Sequence, residues 1–181
     1  SDCFFIRTMN CWGWATWKNR WIKFIKDTNA INPNWLLTNV DNEIRKEIDL
    51  GLNKSIHWSQ IELNSKGIIS TWAIFWYCFI YRKKGLCLTP TNSLVRNIGH
   101  DSSGENCGFN EEFNESKINS SYIKKYPKLL IEDLSALNQI RNYYIKTFSL
   151  QNRVKRKIKT KLNIISNKLK LIQTKYKKFS Y

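Results

Sequence analysis

The run Ile68-Ile69-Ser70-Thr71-Trp72-Ala73-Ile74-Phe75-Trp76-Tyr77-Cys78-Phe79-Ile80-Tyr81 constrains this chain most. It holds 14 residues, nearly all apolar, whereas a membrane-spanning helix needs about 20. Arg82-Lys83-Lys84-Gly85 follows, a basic last turn and then a glycine where a helix C-cap belongs. The pattern predicts a helix at about 70–83, buried inside a soluble domain.

A chain of 181 residues, 42% hydrophobic and 14% aromatic, suits one domain or part of a larger one and is too apolar to be mostly disordered. Its net charge of +16 suggests a nucleic-acid binder until the charge is divided by region. Residues 151–181 hold eleven Lys/Arg and no acid, leaving 1–150 with 19 Lys/Arg, all 14 acids and a net +5. The excess belongs to a tail. Ser1-Asp2 opens the chain without a secretory signal pattern, which leads us to expect a downstream piece of a longer protein. Cys3, Cys11, Cys78, Cys87 and Cys107 form no C-x-x-C pair, so we expect reduced, mostly buried thiols and a cytoplasmic location.

The first nine residues read as a short strand around Phe4, Phe5 and Ile6. Trp14, Trp17, Trp21 and Phe24/Ile25 recur at helical spacing on one face, and Asn32-Pro33-Asn34 breaks that helix. Asp41 is an N-cap for a helix to about Leu50, stopped by Gly51. Further helices are expected over Ile56–Leu63 and 70–83, and a strand at Leu86–Pro90. Residues 91–110 read as loop and 111–128 as a polar linker. From Leu129 a helix is expected with Leu130, Leu134, Leu137, Ile140, Tyr143 and Tyr144 on one face. In the tail, Val154, Ile158, Leu162, Ile165, Leu169, Ile172, Tyr176 and Phe179 recur in steps of three and four, a coiled-coil type of seam.

Two constellations carry chemistry. Trp12 to Trp21 either forms a platform for a sugar or a base or is a core-facing stripe. Spacing favours core for Trp17 and Trp21. Gly13, between Trp12 and Trp14, lets backbone approach a ligand or another element. The second is Arg96-Asn97-Ile98-Gly99-His100-Asp101-Ser102-Ser103-Gly104. Arg96 and loop N–H groups can meet a phosphate, while His100 or Asp101 can hold a metal or move a proton. A plain polar loop with Asx-type turns is the alternative. His57 reads as packed or surface, and Asp41/Glu43, Glu111-Glu112 and Glu132-Asp133 read as structural. No G-x-S-x-G, Walker or G-x-G-x-x-G pattern occurs.

At Cys11-Trp12-Gly13-Trp14-Ala15-Thr16-Trp17…Trp21, Ser70–Tyr77, Gly85–Pro90 and Ser93–Gly104, the sequence resembles bacterial family 2-type glycosyltransferases of the GT-A fold. The order of these segments is more distantly similar to the N-acetylglucosaminyltransferase I family. The resemblance implies an α/β architecture, here an α-rich fragment: the C-terminal, acceptor-side half of the fold over residues 1–110, with a helical basic tail over 129–181.

It also implies transfer of a hexosyl-type sugar from a nucleotide-diphosphate donor to a polysaccharide or lipid-linked glycan. The divalent metal, Mn²⁺ or Mg²⁺, would be ligated mainly by residues absent from this chain, so the chain alone would be inactive. By the same resemblance, Trp12, Gly13 and Trp14 line the sugar and acceptor site, and Trp72 and Trp76 begin the helix beneath it. Arg96, Asn97, Gly99, His100, Asp101, Ser102 and Ser103 form the loop that closes on the diphosphate and metal, with His100 its candidate ligand. Some relatives carry the catalytic Asp directly after the Trp that begins the apolar helix, where this chain has Ala73. Others have His where this chain has Asn106. The base is therefore assigned to Asp101.

The competing reading is a non-enzymatic basic module for nucleic acid or a membrane surface. A stacking protein interleaves aromatics with Lys/Arg, yet the tail has only Tyr176, Phe179 and Tyr181, which argues against nucleic acid. The tail itself can lie on the anionic inner face of a membrane, pair with another helix, or pack on its own domain.

Overall fold

A computed structural model describes residues 1–101, 103, 118 and 122–148. Strand β1 (Cys3–Ile6) is followed by five helices: α1 (Lys18–Lys26), α2 (Pro33–Asn39), α3 (Asn42–Ile48), α4 (Trp58–Ser65) and α5 (Ala73–Arg82). Strand β2 (Cys87–Pro90), a 3-10 turn (Ile98–Asp101) and helix α6 (Leu134–Thr147) complete the order.

The apolar run is helix α5, and Ile74 through Tyr81 are all buried. A helix apolar all round can exist in water only if neighbours cover every face. Helix α3 and helix α4 both pack on α5, and α2 packs on α4. Phe24 of α1 joins the same core. Among the described residues no helix is long and apolar enough to cross a membrane.

The strands pair antiparallel, Cys3 opposite Pro90 and Ile6 opposite Cys87, and so bring the two ends of the helical segment together. Beneath them lies a smaller cluster of Ile6, Leu50 and Leu137, with Phe4, Ile140 and Tyr144 against it. Helix α6 is held there by the Phe5 carbonyl, which accepts from Asp133 N–H at 2.8 Å, and by Arg141 Nε, which donates to the Leu50 carbonyl at 2.6 Å. The second bond satisfies the carbonyl of a residue with φ of +61°, a left-handed conformation that is costly for leucine.

Asp49 ties the helices together. Its Oδ1 accepts from the N–H groups of Ile56 (2.9 Å), His57 (2.7 Å) and Trp58 (2.9 Å), which feed the start of α4. Arg45 bridges three helices: Nε donates to Val40 O at 2.9 Å, a second nitrogen to Leu37 O at 2.5 Å, and the guanidinium lies over the Trp58 ring.

Asp41 caps α3 as expected, its Oδ1 accepting from Ile44 N–H at 2.8 Å. Asn32-Pro33 acts differently from the break foreseen in sequence. It starts α2, with Asn32 as N-cap accepting from Trp35 N–H at 3.0 Å and Pro33 in the first turn. Proline lacks an N–H that a first turn leaves unused, so it opens α2, whereas α1 has already ended at Lys26. Trp17 also departs from expectation. Helix α1 begins at Lys18, which leaves Trp17 an extended N-cap, off the helical stripe and 76% exposed.

The last helix begins at Leu134 rather than near Leu129, because Asp133 caps it through Ala136 N–H. Leu130 and Leu134 are accordingly exposed and Leu137 is its buried anchor. Of the expected linker, 118 and 122–128 are described, and Lys124 and Lys125 N–H groups donate to Asp2 Oδ2. The basic tail seam, Cys107, Asn106 and Ser102 lie outside the described residues, as does the Asp101 side chain.

Candidate functional site

The Trp12-Gly13-Trp14 segment joins two aromatic environments. Gly13 has φ of +69°, and a Cβ built on it would lie 2.5 Å from Val95 Cγ1. The close approach that the glycine permits is therefore to the 91–97 loop. On one side Trp12, whose N–H donates to Asn10 Oδ1 at 3.0 Å, meets the His100 ring edge-on at 5.0 Å between centroids. On the other, the Trp14 ring lies 5.3 Å from Trp72 and 5.6 Å from Trp21.

Trp14, Trp21, Phe24 and Trp72 wall an open cavity of about 510 Å³, completed by Phe75, Ile31 and the hydroxyl residues Ser70 and Thr71. Among the described residues no charged side chain lines it. Thr71 is held in place by Asn64, whose Nδ2 donates to Thr71 Oγ1 at 3.0 Å and whose Oδ1 accepts from Thr71 N–H at 3.1 Å. Trp72 is 47% exposed at the helix N-cap, so its indole is available to a ligand. Trp76 is buried, stacked on Phe79 at 5.6 Å and edge-on to Phe24 at 5.1 Å. It packs behind the aromatic wall, its ring 5.4 Å from Trp21 and 6.0 Å from Trp14, and is not among the residues that line the cavity.

In the 91–103 loop, Ser93 Oγ donates to Val95 O at 2.6 Å, and Asn97 Oδ1 accepts from Gly99 N–H at 3.0 Å. Asn97 thus builds an Asx turn that leads into the 3-10 turn. His100 is carried on that turn and is buried, while Arg96 and Ser103 are exposed. The structure brings His100 to Trp12 and brings Trp14 to Trp72. Arg96, Gly99, Asp101 and Ser103 follow along the same loop. Among the described residues no three His, Cys, Asp or Glu side chains converge as a metal site would require. The described donors do not fit a Mn²⁺ or Mg²⁺ centre by themselves.

Cys78 and Cys87 offer no nucleophile. Burial pushes Cys78 up to about 12 and Cys87 up to about 11, so both stay protonated at neutral pH. His57 lies apart from the cavity, its ring 4.9 Å from Tyr77 and 5.5 Å from Tyr144, where burial holds the imidazole below its usual value.

Sequence reasoning missed Trp21, Phe24, Ser70, Thr71 and Phe75 as cavity residues. Their signals were present, since Trp21 and Phe24 recur at helical spacing on one face, and a core stripe and a cavity wall have the same period. No family model matches the chain, and comparisons with curated proteins and with solved structures give no match either.

Proposed function

We propose that this chain is the acceptor-side part of a hexosyl-type glycosyltransferase that uses a nucleotide-diphosphate sugar. The observation that carries the reading is the cavity of Trp14, Trp21 and Trp72 with Ser70 and Thr71 at its edge. Indole faces accept the C–H faces of a neutral sugar ring, and a few hydroxyls fix its orientation. A volume of about 510 Å³ falls within the range of small-molecule sites, roughly 300–1,000 Å³. The uncharged lining that the described residues provide suits a sugar ring better than a phosphate.

The diphosphate would meet the neighbouring loop instead. Gly13 against Val95 and Trp12 against His100 keep that loop beside the aromatic wall, and exposed Arg96 is free to swing toward an anion. In the transfer, Asp101 takes the proton of the acceptor hydroxyl as its oxygen bonds to the anomeric carbon. The bond from that carbon to the diphosphate breaks, and the nucleoside diphosphate leaves with the electron pair. Arg96 shares the developing phosphate charge, and the indoles hold the ring in the attack geometry.

Calorimetric titration of the chain with a panel of glycans and nucleotide-sugars tests the reading. Saturable binding of a glycan or nucleotide-sugar supports it. Binding of none of them, with the protein folded, removes it.

A further inference from the structure

Helix α1 gives only Phe24 fully to the core, with Trp21 half-buried against the cavity. Lys18, Arg20, Lys23, Ile25 and Lys26 face solvent, and Trp17 stands exposed at the N-cap. The nine residues contain no acid. Among the described residues none of these four cations pairs with an acid, and the next acid along, Asp27, lies 3.9 Å from Arg82.

The apolar exposure continues past the helix. Ile31 and Trp72, which line the cavity that α1 walls, are both about half exposed, and Ile68 is 63% exposed next to exposed Lys66-Gly67. Isolated surface leucines and isoleucines need no explanation. Two exposed tryptophans and three isoleucines among unpaired cations are a different composition. Indole rings favour the headgroup level of a bilayer, and Lys and Arg stems reach from there to lipid phosphates. A partner seated only in the apolar cavity would leave the cations beside it without a role. Nucleic acid would find cations here but isoleucines where stacking rings are needed.

We propose that this face, the Ile25 side of α1 together with the cavity rim at Ile31 and Trp72, docks on an anionic lipid surface. Trp17 and Ile25 enter the boundary between headgroups and acyl chains, and Lys18 and Lys26, which lie within about 100° of Ile25 around the helix, meet the phosphates. Docking at this face requires no sugar transfer and is distinct from any attachment through residues 151–181.

The full chain is mixed with phosphatidylcholine vesicles, with and without phosphatidylglycerol, whose acyl chains are brominated. All eight tryptophans lie between positions 12 and 76 and none in 151–181, so attachment by the tail alone leaves indole emission unquenched. Binding that needs phosphatidylglycerol and quenches tryptophan emission is expected. Trp17→Phe should reduce the quenched fraction, and Lys18→Glu/Lys26→Glu should weaken vesicle binding about tenfold or more. Both variants alter only exposed side chains, and circular dichroism verifies that they fold. Absence of binding, binding without quenching, or binding indifferent to the charge reversal would overturn the proposal.

Discussion

Gly13 and Val95 are packed so closely that no side chain fits between them: a Cβ on Gly13 would stand 2.5 Å from Val95 Cγ1 and 3.0 Å from Cγ2. This contact joins the aromatic segment to the 91–103 loop and so assembles the two halves of the candidate site. Gly13→Ala meets two penalties, about 1 kcal/mol for a left-handed alanine and further cost for displacing valine. A loss of about 1–3 kcal/mol in urea unfolding is expected. Adding Val95→Ala should recover only part of it, because the backbone penalty remains.

Asp49 is the next test of how the fold is held. With three N–H groups on one buried oxygen, Asp49→Ala leaves three donors unmet. Each costs roughly 1 kcal/mol or more, so a loss of at least about 3 kcal/mol is expected by chemical denaturation. Asp49→Asn keeps the acceptor and should lose less.

Stability should fall at both ends of the pH scale. Burial lowers His57 from its ordinary 6.5, with the Asp49 charge opposing. The unfolded chain then takes up the proton first, so stability is full above about pH 6.5 and declines below it. At the alkaline end Cys78 rises from 9.0 to about 12 by burial, and Tyr77 is raised by the same cause. The unfolded thiol ionises first, so stability declines from about pH 9 upward. Urea midpoints across pH should trace both limbs, with the acid limb flattened in His57→Gln.

Under the proposed transfer, Asp101→Asn removes the base but leaves sugar binding intact. In an enzyme carrying this segment, turnover should drop about 10²-fold or more with little change in glycan affinity. Turnover near that of the unaltered enzyme would take Asp101 out of the mechanism.

Much of the fold was legible where one force dominates. The run Ile74–Tyr81 leaves no exposed face to assign, so its burial could be read directly. Asp41 and Gly51 mark the α3 region with capping chemistry that depends only on near neighbours. Trp17 was misjudged because spacing cannot locate where a helix begins, and one residue outside α1 the stripe no longer applies. Pro33 was misjudged because the same ring geometry serves a break and a first turn. The site was legible only in part. Gly13 announced a close approach without naming Val95 as the partner, and the meeting of Trp14 with Trp72 depends on contacts 58 positions apart that no local pattern encodes.

The central claim is that the Trp14–Trp72 cavity receives a sugar ring. Saturation-transfer NMR on the glycan or nucleotide-sugar bound in the calorimetric panel tests it most directly, comparing the unaltered chain with Trp72→Ala and with Trp17→Ala as control. The account predicts transfer to the C–H protons of the sugar ring, lost in Trp72→Ala and kept in Trp17→Ala. Undiminished transfer in Trp72→Ala would contradict it.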